Sequence, residues 1–247
     1  MKSFAKLNIF LKIIGTRGDY HEIVSRFVLF KEFFDEIEFK RAENFAIDSN
    51  QNIENNIILK AKSELEKAGF KPELDEFFKS HKIVLKKNIP MGAGLGGGSS
   101  NAATFLLMIN EELNLKLSRE ELCKIGAKVG SDVPFFLSGF ESANVSGVGE
   151  KIVEFSDTIP NIDVFTPDIF CSTPLVYKEF RANFMQNIDL NLTDKIKSIP
   201  STELLQSYKN SQLNDLYAPC FKIYKDMQKY SDKFLSGSGS SVFCVRS

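Results

Sequence analysis

The chain carries almost no net charge. Thirty-one basic side chains stand against thirty-two acidic ones, leaving −1 at neutral pH. That rules out the broad basic field a nucleic-acid or acidic-membrane partner would require. A small anionic ligand needs only a few local donors and stays open. No apolar run reaches membrane-spanning length. The first residues, Met1-Lys2-Ser3-Phe4-Ala5-Lys6, lack the apolar core of a signal peptide. The expectation is a cytoplasmic protein with no nucleic-acid and no membrane partner. Cysteine is scarce too. Cys123, Cys171, Cys220 and Cys244 form no C-x-x-C pair, and no histidine stands near them at metal-ligand spacing. Reduced core thiols are expected. The chain has no internal repeat and no low-complexity tract.

What is present is an ordinary globular composition, 43% hydrophobic and 26% charged over 247 residues, enough for one large domain or two small ones. Residues 4–14 alternate with period two and predict a strand. Ala5, Leu7, Ile9, Leu11 and Ile13 share one face, while Phe4, Lys6, Asn8, Phe10 and Lys12 share the other. Residues 15–19 read as a loop and 23–40 as further strand-like stretches. Asn55 or Asn56 caps a helix that Gly69 closes. Residues 83–85 read as a strand. Helical spacing resumes from Ala102 to Leu113, and Ser118 with Glu121 forms a capping box for another helix ending at Gly130. Pro134 stops that helix from running on. Two short strands are expected over 140–155, a helix from Thr173-Pro174, and a helical stretch over 213–230 broken near Pro219. A strand over 242–245 ends the pattern. Pro160 and Pro167 suggest a domain boundary near 156, giving domains 1–155 and 156–247.

The chemistry concentrates in one run, Pro90-Met91-Gly92-Ala93-Gly94-Leu95-Gly96-Gly97-Gly98-Ser99-Ser100. Gly92, Gly94 and Gly97 satisfy G-x-G-x-x-G, but two helices in succession follow, which is not the βαβ order of a dinucleotide fold. No Lys-Ser/Thr pair follows the last glycine, so this is no Walker A loop. Protein kinases place their glycines in a hairpin, whereas this loop opens a helix. A distinct phosphate site remains. Glycines let backbone amides turn toward phosphate oxygens, and the helix start adds partial positive charge. Five glycines in seven residues at a helix start argue against a mere linker.

These residues, through Asn101-Ala102-Ala103, resemble the phosphate loop of the GHMP kinase superfamily in its extended G-L-G-G-G-S-S form. Three further segments agree in order and spacing: Ala5-Lys6-Leu7-Asn8, Gly130-Ser131-Asp132-Val133-Pro134 and Ser236-Gly237-Ser238-Gly239-Ser240. The resemblance implies an α+β, two-lobed GHMP kinase fold. Its N-terminal lobe would be ribosomal S5 domain 2-like, with a left-handed βαβ unit, and its C-terminal lobe ferredoxin-like. It implies ATP and Mg2+ as cofactors. The acceptor would be a small-molecule, cytidine diphosphate-linked sugar alcohol. Oligomeric state and magnesium ligands are left unassigned, with Ser99, Ser100 and water as candidates for the latter.

By the same resemblance Asp132 is the general base, and Lys6 pairs with it and with the transferring phosphate, keeping the carboxylate ionised and offsetting charge; Asn8, on the same strand face as Lys6, is placed to orient the acceptor hydroxyl. Tyr20 and His21 read the cytosine, and Tyr177 covers its other face. Asn56 and Lys87 match positions near adenine and ribose. Gly237, Ser238 and Gly239 close over substrate phosphates as a second backbone nest. From the residues alone each has a plainer reading. Asp132 is a turn residue, Lys6 a strand lysine, Asn8 an edge-strand polar residue, the Tyr-His pair loop packing, Asn56 a helix cap, Lys87 a strand-end lysine, and 237–239 a hairpin turn. The loop before Tyr20 is shorter than the family commonly has, and the family usually continues past the last strand through another helix and strand. Homoserine- or mevalonate-type kinases are the neighbouring alternative, and a non-catalytic nucleotide-binding regulator the distant one. Tyr20, His21 and Tyr177 discriminate the first, because those substrates carry no base. Retention of Lys6 and Asp132 argues against the second.

Overall fold

A computed structural model describes residues 1–246. Its strands and helices run in the order β1 (Lys2–Arg17), β2 (Tyr20–Arg41), β3 (Ile47–Ser49), α1 (Ile57–Leu65), α2 (Lys71–Phe78), β4 (His81–Lys86), α3 (Gly97–Glu112), α4 (Arg119–Val129), α5 (Val133–Ser138), β5 (Ser142–Gly147) and β6 (Lys151–Glu154). Then come β7 (Ile162–Phe165), α6 (Thr173–Asn183), α7 (Leu190–Ile196), α8 (Ser201–Ser207), α9 (Asn210–Leu213), α10 (Tyr217–Ile223), β8 (Phe234–Leu235) and β9 (Val242–Val245). Among the described residues, no helix is long and apolar enough to cross a membrane. All four cysteines are free thiols, and Cys171 and Cys220 are buried.

The chain forms two compact units. Unit one takes Met1–Ala5, Phe30–Ile89 and Gly96–Phe140; unit two takes Lys6–Leu29, Pro90–Leu95 and everything from Glu141 on. The boundary expected near residue 156 is not where this division falls. The long strands β1 and β2 each contribute to both units, and the chain changes unit again on either side of residues 90–95 and after Phe140, so no single linker divides it.

Unit one pairs the C-terminal half of β2 antiparallel with β4, Ile37 opposite Leu85 and Phe39 opposite Ile83. β3 lies parallel to β4, Ile47 opposite Ile83. Parallel neighbours need a crossover, and α1 with α2 supplies it. Asn56 is the α1 N-cap, its Oδ1 accepting from the Ile58 amide at 3.0 Å. Gly69 has φ 109° but does not close the helical region, because Pro72 starts α2 at once. That second helix escapes a pattern search since only Leu74 and Phe78 of it are buried. The Ser118–Glu121 capping box opens α4 as expected. Pro134 sits in the first turn of a new helix, α5, with Asp132 at its N-cap position. The core joins Ile37, Ile58, Leu65, Phe78, Leu85, Phe105, Leu106, Ile125 and Val133.

Unit two pairs the N-terminal half of β2 with β5, and β5 with β6, both antiparallel. A separate antiparallel sheet runs β7-β9-β8. Pro219 lies within α10 rather than breaking it, near the helix start where a missing N–H costs nothing. The core gathers Leu11, Ile13, Val176, Phe180, Leu216, Phe221, Leu235 and Val242. The face of β1 that carries Lys6, Asn8 and Lys12 is buried as well, each 4% exposed or less. Those polar groups survive burial because each has partners. Lys12, for one, pairs with Asp215 and donates to the Gln212 carbonyl at 3.1 Å.

Candidate active site

In unit two, Lys6 is held in place from several sides. Its Nζ donates to Asn8 Oδ1 at 2.5 Å and to the Gly94 carbonyl at 2.9 Å, and it sits 4.8 Å from the centre of the Phe27 ring. Asn8 Nδ2 donates to Ser25 Oγ at 2.9 Å, which fixes the amide so that its oxygen faces the ammonium. The sequence put Lys6 and Asn8 on one strand face, and the structure brings them into direct contact.

The first part of the glycine run belongs to this unit and meets the C-terminal glycine motif. Ser241 N–H donates to the Ala93 carbonyl at 3.1 Å, and Ser236 Oγ to the Gly94 carbonyl at 3.1 Å. Gly94 has φ +76°, and a Cβ there would lie 2.3 Å from the Ser236 carbonyl oxygen, so no other residue fits. Gly237, Ser238 and Gly239 form a tight turn in which the Gly239 amide donates to the Ser236 carbonyl at 3.0 Å. Ser238 Oγ is linked to Thr173 Oγ1 at 2.7 Å, at the start of α6.

Along α6 lies Tyr177, whose ring centre is 5.0 Å from that of His21 at a 34° tilt. Phe180 meets the same imidazole edge-on at 6.0 Å. His21 is only 9% exposed, and its Nε2 is buried with no hydrogen-bond partner. Burial, then the nearby charge of Arg181, pushes the His21 pKa below its ordinary value. Tyr20, next to it, is 70% exposed. The three residues expected at one ring-shaped ligand thus divide into a contacting pair, His21 buried and Tyr177 half-buried, and one exposed ring.

In unit one the rest of the run opens α3. Gly96 is the N-cap, with no side chain to cover the first-turn amides, and uncapped amides plus the helix dipole favour an anion. Ser99 is half-buried in that turn, while Ser100 is buried and its Oγ accepts from Ser3 Oγ at 2.8 Å. Asp132 is half-buried and accepts a long hydrogen bond from Ser131 Oγ at 3.4 Å. A cleft of about 590 Å³ is lined by Phe45, Ile47, Asn50, Ile53, Asn56 and Leu59 among others. Asn56 lies on it, as a nucleotide contact would require, while also serving as the cap. Lys87 does not line it with its side chain. Its backbone pairs with the Asn50 amide, but its ammonium goes into the core, to Asp35 and, at 3.0 Å, to Asn101 Oδ1. The charge of Lys87, expected beside adenine and ribose, is thus paired with a buried carboxylate. Asp35 itself was missed.

Comparison with known proteins identifies the family. The model of the GHMP kinases N terminal domain matches residues 56–140. The 4-diphosphocytidyl-2-C-methyl-D-erythritol kinase of Campylobacter jejuni serotype O:6 is 50% identical, the match covering 99% of each chain. The enzyme of the same name from Sulfurimonas denitrificans is 44% identical over 99% of this chain and 96% of that one. A crystal structure of 4-(cytidine 5'-diphospho)-2C-methyl-D-erythritol kinase superposes with a TM-score of 0.77 at 28% identity, over 99% of this chain and 90% of the other. Methanococcus jannaschii mevalonate kinase, at 15% identity and TM-score 0.64, shares the fold. The chain belongs to the GHMP kinases, ATP-dependent enzymes that phosphorylate small molecules, and within them to the family of the 4-diphosphocytidyl-2-C-methyl-D-erythritol kinases.

Proposed function

We propose that the chain transfers the γ-phosphoryl group of ATP to the 2-hydroxyl of 4-diphosphocytidyl-2-C-methyl-D-erythritol, a step of non-mevalonate isoprenoid precursor synthesis. The observation that carries the acceptor is the buried, unpartnered Nε2 of His21 beside Tyr177. A desolvated polar atom left unpaired costs about 1–3 kcal/mol. A cytosine edge would relieve that cost, and Tyr177 and Tyr20 offer rings to stack on it. Homoserine and mevalonate carry no such edge.

For the transfer itself, Asp132 takes the proton of the attacking hydroxyl. Lys6 offsets the charge that builds on the transferring group, and Asn8 orients both the ammonium and the acceptor. The backbone of Pro90 to Gly98 and the first turn of α3 cradle the ATP phosphates, with Ser99 and Ser100 adding hydroxyls. The cleft with Asn56 takes adenine and ribose. Gly237, Ser238 and Gly239 close on the substrate phosphates. Ser99, half-buried in the first turn of α3, would hold a magnesium ion carried with ATP, and such an ion would lower the charge of the phosphates. A small metabolite-directed kinase of this kind works in the cytoplasm.

The test is ATP consumption with the cytidyl substrate, homoserine and mevalonate in parallel. Turnover of the cytidyl substrate is expected. Turnover of only the other two would refute the acceptor, and ATP binding without any turnover would make the chain a regulator.

A further inference from the structure

One buried carboxylate has no place in the mechanism above. Asp35 lies on β2 with no exposed surface. Its Oδ1 accepts from the backbone amides of Asn88 at 2.7 Å and Ile89 at 2.8 Å. Its Oδ2 accepts from Asn101 Nδ2 at 2.8 Å and from the Lys87 ammonium. Asn88 and Ile89 are the last residues before Pro90. Asn101 lies in the second turn of α3. All of these belong to unit one. A single side chain therefore holds the residues on both sides of the glycine run.

The same cluster sets the start of α3. Asn101 Nδ2 also donates to Ser3 Oγ at 3.0 Å, and Ser3 Oγ donates to Ser100 Oγ at 2.8 Å. A Cβ on Gly97 would lie 2.9 Å from Ile89 Cγ2 and 3.3 Å from Lys87 Nζ. The helix start thus rests directly on the residues that Asp35 holds. Glycines lose more conformational freedom on ordering than other residues. A loop of them aims its amides well only if its ends are fixed first, and hydrogen bonds to a carboxylate are among the stronger ways to fix them.

We propose that Asp35 is a positioning residue for ATP, holding both ends of the glycine-rich run so that its amides meet the phosphates. The proposal rests on reading that run as the phosphate cradle. The plainer role is a core staple, which would affect stability alone.

Two variants separate them. Asp35→Asn leaves the Lys87 charge buried without its counter-ion, and so loses stability as well as hydrogen-bond acceptors. Asp35→Asn with Lys87→Met removes both charges and is expected to recover much of the melting temperature. An amide has one acceptor oxygen and cannot reproduce the carboxylate's four bonds. The paired variant should therefore keep an ATP KM raised about tenfold, with the acceptor KM within about twofold of wild type. Gly97→Ala serves as the control for the loop. An ATP KM that recovers together with the melting temperature would reduce Asp35 to a staple and overturn the proposal. A raised ATP KM in Gly97→Ala with none in either Asp35 variant would overturn it while sparing the phosphate cradle. Unchanged ATP KM in all three would remove the cradle and the proposal together.

Discussion

Two buried polar regions in this chain are built on opposite plans. Around Asp35 in unit one, the carboxylate has four donors, and Lys87, Asn101, Ser3 and Ser100 interlock with it. Around His21 in unit two, an imidazole is packed between Tyr177 and Phe180 with one nitrogen left without a partner. The first network is closed, and the second leaves one atom open, which the proposed acceptor would meet. The two histidines make the same point. His81 stacks flat on Phe77 at 4.1 Å and has its Nδ1 at 2.9 Å from the Phe77 carbonyl. It is satisfied without any ligand. Both histidines lie beside an aromatic ring; of the two, His21 combines burial with an unmet hydrogen bond, which is why the proposed base contact falls on it.

The largest expected effect falls outside both regions and calibrates them. Asp132→Asn should lower kcat by about 10³-fold while ATP still binds, measured by steady-state turnover and nucleotide titration. A kcat near wild type would show that the base is elsewhere. Next is the closed network. Asp35→Ala should cost about 3–5 kcal/mol in denaturant unfolding, since it strands a buried ammonium. A loss below about 1 kcal/mol would mean the network is not closed in the sense drawn here.

The open site should behave in the opposite manner. His21→Leu should raise the acceptor KM about tenfold and leave stability equal or up to about 1 kcal/mol higher, because it removes a desolvated polar atom. The matching His81→Leu should lower stability by about 1 kcal/mol and move neither KM. Exchange of these two outcomes would break the comparison.

The smallest effect is in pH. The His21 pKa is held below its ordinary 6.5 by burial and by Arg181. As pH falls through 6.5 the unfolded chain takes up the proton first, so this histidine's contribution to stability declines from there down through its folded value. The acceptor KM should be flat above pH 6.5 and rise on the acid side, while the ATP KM stays level. The limb should vanish in His21→Gln, and its survival there would assign it to another group.

Much of this was written locally in the sequence. The Asn56 cap, the Ser118–Glu121 box and the glycine run before α3 each act within a few residues, and each appears where the pattern places it. β2 was harder, since its 22 residues run through two units and read as separate stretches. The roles of Lys6 and Asn8 needed a resemblance, because period two shows a shared face but not what covers it. The pairing of Lys87 with Asp35 was not legible for one reason. It joins positions 52 residues apart, which no local pattern encodes. A hint was present. Period two sets Asp35 on the same face as Ile37, which is buried, and leaves Glu36 and Glu38 on the other.

The approach of Gly94 to the Ser236 carbonyl has a consequence for heredity. Gly94 and Ser236 stand 142 residues apart in the chain, yet the Ser236 carbonyl leaves Gly94 no room for a side chain. Substitutions at Gly94 and in the Ser236 turn should be strongly non-additive when combined. In a mutational survey the two glycine motifs would then register as a single locus, inherited together or lost together.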